Sequence, residues 1–356
     1  MQPHILILGA GITGAALAHQ LAKGGATVTV VDAGSPAGAA SGGSFGWVNA
    51  SFFLSEAHFH LRHAAMEAHQ ALAAELGLDP QPQGCLWHEA TGADFDHQHE
   101  ALHRLGYPLR LLDRAEIARR EPLIANPPDR ALFFPTERAV DLAALTDRLL
   151  SAASARGARV ILGLRGEALL TAQGRVIGLR MPQATIMADH VILATGTGTP
   201  ALLVPLGLTL PMQHRPGAVL HSQPLPPLLT HILATPEQEV RQDRDGRLIA
   251  PAAAHHQSDA SEDLPGPDAL IRATLARLRA IFPQADIRPD RLILAQRPVP
   301  GDGLPAIGAV APGLSVAVMH SGATLAPHVA ALLAAEVLGQ GESPALAPFR
   351  PSRLFT

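Results

Sequence analysis

A glycine-rich turn between a short apolar stretch and an Ala/Leu-rich one constrains this chain more than any other feature. Gly9, Gly11 and Gly14 form Gly-x-Gly-x-x-Gly directly after His4–Leu8 and ahead of Ala15–Lys23. The first run reads as a buried strand and the second as a helix, ended by Gly24 and Gly25. Thr27–Val31 is a second, β-branched strand closed by Asp32. In such a β-α-β unit the first glycine permits the tight turn and the second lets backbone approach a pyrophosphate. The third lets helix and strand pack closely. Unpaired N–H groups at the helix start, around Ile12 and Thr13, and the helix dipole attract phosphate oxygens. A carboxylate at Asp32, followed by Ala33, can accept from ribose hydroxyls and repels a 2′-phosphate. The motif predicts a dinucleotide site and does not by itself separate FAD from NAD.

The pattern returns twice. Asp141 is placed to cap a helix carrying Leu142, Leu145 and Leu149, ended by Gly157 and followed by a strand at Ala158–Leu162. A hairpin around Gly174 precedes a buried strand, His190–Ala194, which runs into Thr195 and Gly196. At the far end Leu314–Met319 reads as a strand and Thr324–Leu338 as a helix. Between these pieces lie two interruptions. The later one is rich in Pro and His, with strands at Val219–Ser222, Glu239–Gln242 and Arg247–Ala250 and a turn at Asp245-Gly246. Pro251–Pro267 reads as a loop, with Asp268 capping a helix that carries Leu270, Ile271, Leu275, Leu278 and Ile281. The expectation is an α/β chain: a Rossmann-like nucleotide domain (1–80, 139–205 and 296–356) and a discontinuous α+β substrate domain (81–138 and 206–295) on an antiparallel sheet. A length of 356 residues fits two domains.

Composition removes other classes. A net charge of −4 gives no basic surface for nucleic acid. Cys85 is the only cysteine, so neither an internal disulfide nor a Cys-rich metal site can form. No signal-peptide pattern or long uninterrupted apolar run is present, which predicts a cytoplasmic protein without a transmembrane segment. His58, His60 and His63, and His97, His99 and His103, cluster on helical stretches. They lack a catalytic zinc motif and sit among 18 histidines, so no metal is expected. The apolar run Phe45–Leu54 is read as packing or cavity lining rather than a membrane or partner contact.

Several segments, in order along the chain, resemble the D-amino-acid-oxidase, glycine-oxidase and sarcosine-oxidase superfamily. They are the small-residue stretch Ala40, Ser41, Gly42, Gly43, Ser44, Phe45, Gly46 and Trp47; the Pro135–Leu142 segment; and Val191–Gly196. The block Gln296-Arg297-Pro298 with Asp302–Gly308 and the turn Met319–Pro327 complete the set. The resemblance implies FAD as cofactor, with contacts from Ser41, Gly42, Ser44, Gly46, Ala194, Thr195, Gly196, Gly308, His320, Ser321, Gly322, Ala323 and Thr324. It further implies oxidation of the C–N bond of an amino acid or N-substituted amino acid, with hydride passing to flavin N5 and the imine then hydrolysed. Oxygen or another electron acceptor reoxidises the flavin.

Arg297 is assigned as the carboxylate clamp, because a guanidinium fork matches a carboxylate at two points; His320 at the flavin turn is the second catalytic candidate. Many relatives add tyrosines to the carboxylate site, yet Tyr107 is the only tyrosine here. Arg241, Arg215 or a histidine then has to substitute, or the substrate differs. His214 and His221 are read as packing or surface residues. Covalent flavin is not expected, since Cys85 lies outside the C-terminal block and Ser41–Trp47 holds no histidine. The competing readings are an FAD monooxygenase and an FAD-binding subunit of a larger amine or opine dehydrogenase complex.

Overall fold

The computed structural model describes residues 2–78, 83–252 and 263–355. Among these, a six-stranded sheet runs in the order Ala306–Ala311, Leu314–Val318, His190–Leu193, His4–Leu8, Thr27–Val31 and Arg159–Ile161. All neighbours are parallel except the first pair, an antiparallel hairpin. Alternation along the central strand decides its two covers. Ile5 and Ile7 join Val28, Val30 and Ile192 under the helices Ile12–Lys23, Leu142–Ala155 and Gly322–Val337. Leu6 and Leu8 face the other way, against Val176, Leu179 and Met181 of a three-stranded sheet, Ala168–Ala172, Arg175–Met181 and Ala184–Met187. A parallel sheet covered on both faces needs these near-continuous apolar strands.

The first helix begins at Ile12, so the glycine turn feeds it without a linker. Asp141 caps Leu142–Ala155 as expected, accepting from Ala144 N at 3.0 Å. Asp268 does not cap: Gly266 does, and the helix starts at Pro267, whose missing N–H is harmless in a first turn. Asp268 instead sits in that first turn, where its charge suits the helix dipole. Residues 253–262 of the expected Pro251–Pro267 loop lie outside the described residues.

The second large sheet has eight strands among the described residues. Its order is Pro289–Gln296, Pro216–Ser222, Leu248–Pro251, Glu239–Gln242, Ile232–Ala234, Cys85–Trp87, Arg130–Phe134 and Arg110–Asp113. It is antiparallel except at one junction, where Ile232–Ala234 runs parallel to Cys85–Trp87. That junction stitches the two interrupting segments together, and no local pattern announces it. Helix Pro267–Ile281 covers one face through Leu275 and Leu278, over Leu220, Val240 and Leu248. The other face carries Trp87, Phe134, Val219 and Ile249, which pack on Phe45, Trp47, Val48 and Ala50. The apolar run Phe45–Leu54 is therefore mainly core, with Leu54 left exposed at its end.

Candidate functional site

A cavity of about 1050 Å³ opens at the carboxyl ends of the parallel strands. Of the residues singled out from sequence, Gly9, Gly11, Ile12, Thr13, Asp32, Ala33, Ser41, Ser44, Ala194, Thr195, Gly196, His320, Gly322 and Ala323 line it. Five separate stretches of chain thus meet on one wall: four are delivered by the end of a strand or the start of a helix, and the Ser41–Ser44 stretch by a run of turns.

Local contacts explain why these residue types are there. Gly9 has φ +108°, and a Cβ on it would stand 2.4 Å from Ala194 O, where the neighbouring strand ends. Asp32 accepts from Ala10 N at 2.6 Å through one oxygen and from Gly34 N at 2.7 Å through the other. Both carboxylate oxygens are thus held by backbone at the cavity edge. Ser41 Oγ accepts from Ile12 N at 3.0 Å, pinning the small-residue segment to the helix start.

Gly14, Gly42, Gly46, Gly308, Ser321, Thr324 and Arg297 are not on the cavity wall. A Cβ on Gly14 would lie 1.8 Å from Gly9 O, so this glycine serves helix–strand packing. Gly42 and Gly46 are closed in the same way by Ala37 O at 2.5 Å and Val140 O at 2.1 Å. Gly308, with φ +130°, leaves room for the Arg350 side chain, whose Nη1 would be 2.6 Å from a Cβ. Its place in the structure is beside a C-terminal ion pair, Arg350 with Glu336 at 2.7 Å. Thr324 is buried and bonds to Asn49 N at 3.2 Å and to Trp47 O at 3.3 Å.

Arg297 is almost wholly buried between two wall residues, Gln296 and Pro298. Its Nη2 donates to Pro216 O at 3.0 Å and its backbone N to Arg215 O at 2.8 Å. Burial and the nearby cations of Arg297 and Arg62 push His320 down to about 4, so it is neutral at pH 7. Arg241 is buried and engaged: it donates to Phe45 O at 2.7 Å and pairs with Asp243. His214 is exposed, and His221 lies on a strand 3.5 Å from Arg291. Among the described residues no group of three metal-ligating side chains exists, and no helix is long and apolar enough to cross a membrane.

Other residues, not anticipated from the sequence, lie on the cavity wall or behind it. Arg62, on the Glu56–Leu76 helix, is 1% exposed. It donates to Asn49 O at 3.0 Å, to Asn49 Oδ1, and to Ser321 Oγ at 2.5 Å. A usable signal was present: Arg62 falls on the apolar stripe of Phe59, Met66 and His69. Leu164, Arg165, Gly166 and Glu167 line the cavity beyond Asp32. Leu164 N donates to Asp32 O at 3.1 Å, which fastens that segment to the second strand.

Comparison with known proteins agrees with this geometry. The family model described as FAD dependent oxidoreductase (DAO) matches residues 4–336. A glycine oxidase of Pseudomonas aeruginosa is 28% identical over 375 residues, covering 99% of each chain. A D-amino acid dehydrogenase of Rhizorhabdus wittichii is 30% identical over 250 residues, covering 67% of this chain and 59% of its own. The crystal structure of glycine oxidase from Geobacillus kaustophilus superposes with a TM-score of 0.87 at 24% identity, over 99% of both chains. At that identity the likeness speaks for the fold.

Proposed function

The chain belongs to the DAO family of FAD-dependent oxidoreductases, and from that premise we propose that it oxidises the C–N bond of an amino acid or N-substituted amino acid. The residues present fit FAD. Gly11, Ile12 and Thr13 line the cavity at the helix start, where the dipole suits the pyrophosphate, and the Asp32 carboxylate suits the ribose. Ser41, Ser44, Ala194–Gly196 and the His320–Ala323 turn supply the remaining walls. When bound, FAD supplies the acceptor for the hydride, and with it the two electrons, that leaves the substrate carbon.

The chain's own part is orientation and exclusion of water. The observation that carries the reading is Arg297, a guanidinium set between wall residues Gln296 and Pro298 and electrostatically felt by His320. In our reading it fixes the substrate carboxylate, with the Cα–H turned toward the flavin and the amine neutral. His320, uncharged at pH 7, adds a hydrogen-bonding group without repelling a departing proton. The eight-stranded sheet, drawn from Cys85–Phe134 and Pro216–Gln296, closes the substrate side. Oxygen or another acceptor takes the electrons onward.

Anaerobic mixing of holoenzyme with D-, L- and N-methyl amino acids, proline analogues, opines and alcohols tests this. Bleaching of the flavin band by at least one carboxylated amine is the expected result. Bleaching by alcohols or phenols alone rejects it.

A further inference from the structure

Arg62 is a buried guanidinium in unusual company. Its donors go to Asn49 O, Asn49 Oδ1 and Ser321 Oγ, all uncharged acceptors. Among the described residues no carboxylate lies within ion-pair distance of it. Burial draws its pKa down to about 10, and the nearest acid to act on it is Glu137, at longer range. The side chain therefore stays cationic at pH 7. A buried charge without a direct counter-charge costs several kcal/mol in a folded protein. A position that keeps one calls for a negative charge supplied from elsewhere.

The surroundings say where. Ser321 is the N-cap residue of Gly322–Val337, whose first residues Gly322 and Ala323 line the cavity. A Cβ on Gly322 would lie 3.4 Å from Ile12 and 3.6 Å from Thr13, so this turn abuts the phosphate-binding helix start. Asn49 N donates to Thr324 Oγ1 at 3.2 Å, and His69 Nε2 donates to Ala323 O at 2.8 Å. The Arg62 cation is thus tied rigidly behind a helix N-terminus, and its charge adds to that of the dipole. Asn49 is fully buried, yet its Nδ2 finds no acceptor among the described residues. A buried amide donor left over beside a cation marks a place for an acceptor that the protein does not provide.

We infer that Arg62, held by Asn49 and Ser321, is the charge that compensates the negative charge gained by the bound flavin on two-electron reduction. It acts through the Ser321–Ala323 turn rather than by contact, and so is a positioning and electrostatic residue. The inference rests on the FAD site and not on which substrate is oxidised.

The test uses purified holoenzyme and three variants, the third being Arg62→Lys. Arg62→Met removes the charge and keeps the length; Asn49→Asp keeps the arginine and sets a carboxylate against it. Sulfite, a small anion that bleaches flavins able to hold negative charge, serves as the probe beside the flavin midpoint potential. Arg62→Met and Asn49→Asp should bind sulfite at least about tenfold more weakly, and the two-electron potential should fall by roughly 30 mV for each tenfold change. Arg62→Lys should recover most of both. Unchanged sulfite affinity and potential in a variant that retains FAD would overturn the inference, whatever happened to turnover. If Arg62→Met does not fold, Asn49→Asp decides alone: an unaltered potential there overturns it equally.

Discussion

Tyr107, the only tyrosine in the chain, donates its hydroxyl to Glu137 at 2.8 Å, and both side chains are buried. Trp47 Nε1 donates to the other carboxyl oxygen at 2.8 Å. The tyrosine therefore serves a buried acid and not the cavity wall. Burial pushes the Glu137 carboxyl up to about 7, against its ordinary 4.5.

The folded state thus holds a proton on Glu137 that the unfolded chain releases. Its contribution to stability is complete below about pH 4.5 and is lost as pH rises through about 7. Glu137→Gln keeps the shape and removes the titration. The stability difference between variant and parent should change across that window by up to about 1.4 kcal/mol per pH unit. Urea unfolding at several pH values measures it, and a difference that stays flat with pH would mean the carboxyl does not titrate there.

Gly11 and Gly14 should fail differently when replaced by valine. Gly11 faces the cavity, and a Cβ on it meets only Ser41 Oγ at 3.1 Å. Gly11→Val is expected to fold and to retain no FAD. Gly14→Val drives a side chain into Gly9 O and should destabilise the apoprotein by about 1–3 kcal/mol or more. Flavin content together with apoprotein melting separates the two; equal melting for both variants contradicts the assignment.

Asp32→Asn offers one oxygen where two backbone N–H groups now have one each. Leaving one donor unpaired costs about 1–3 kcal/mol. Fluorescence titration of apoprotein should show FAD binding weakened by roughly tenfold or more. An unchanged dissociation constant would remove Asp32 from the ribose site.

If Arg297 clamps the substrate carboxylate, Arg297→Ala should raise the substrate dissociation constant by roughly 30- to several-thousand-fold while FAD stays bound. Arg297→Lys should restore only part, because an ammonium lacks the planar fork. The decarboxylated amine should be nearly indifferent. Equal losses for both substrates, or loss of FAD, make Arg297 structural. Arg241 is already committed to Asp243 and Phe45, so Arg215 would then be the next position to vary.

The parts of this molecule that sequence made legible are those with local causes. Gly9, Gly11 and Asp32 answer to a turn, a helix start and a strand end within one β-α-β unit, and their residue types follow from backbone geometry. Asp141 reads as a cap for the same reason. For Arg62 the sequence offers only its place on the stripe of Phe59, Met66 and His69, and nothing local joins Arg62 and Asn49 to the turn at Ser321, which stands near the other end of the chain. Gly308 shows the converse. The resemblance implies a flavin contact there, whereas the fold gives it a positive φ and sets Arg350 in the space beside it. The parallel pairing at Cys85–Trp87 also escaped, since a three-residue strand carries too little periodicity to name its neighbour.

That single parallel junction governs the order in which the chain can be assembled. Cys85–Trp87 and Arg130–Phe134 can pair early, yet the edge of Cys85–Trp87 stays open until Ile232–Ala234 arrives. During synthesis the whole middle of the nucleotide-binding sheet must emerge first. The unfinished apolar edge, with Leu86 and Trp87 beside it, is then a template for pairing with other nascent chains. A long-range closure of this kind slows folding, because loop entropy is lost before contacts reward it. Refolding from denaturant should accordingly give its best yield at low protein concentration, and changes that weaken the Ile232–Cys85 junction should appear first as aggregation during expression.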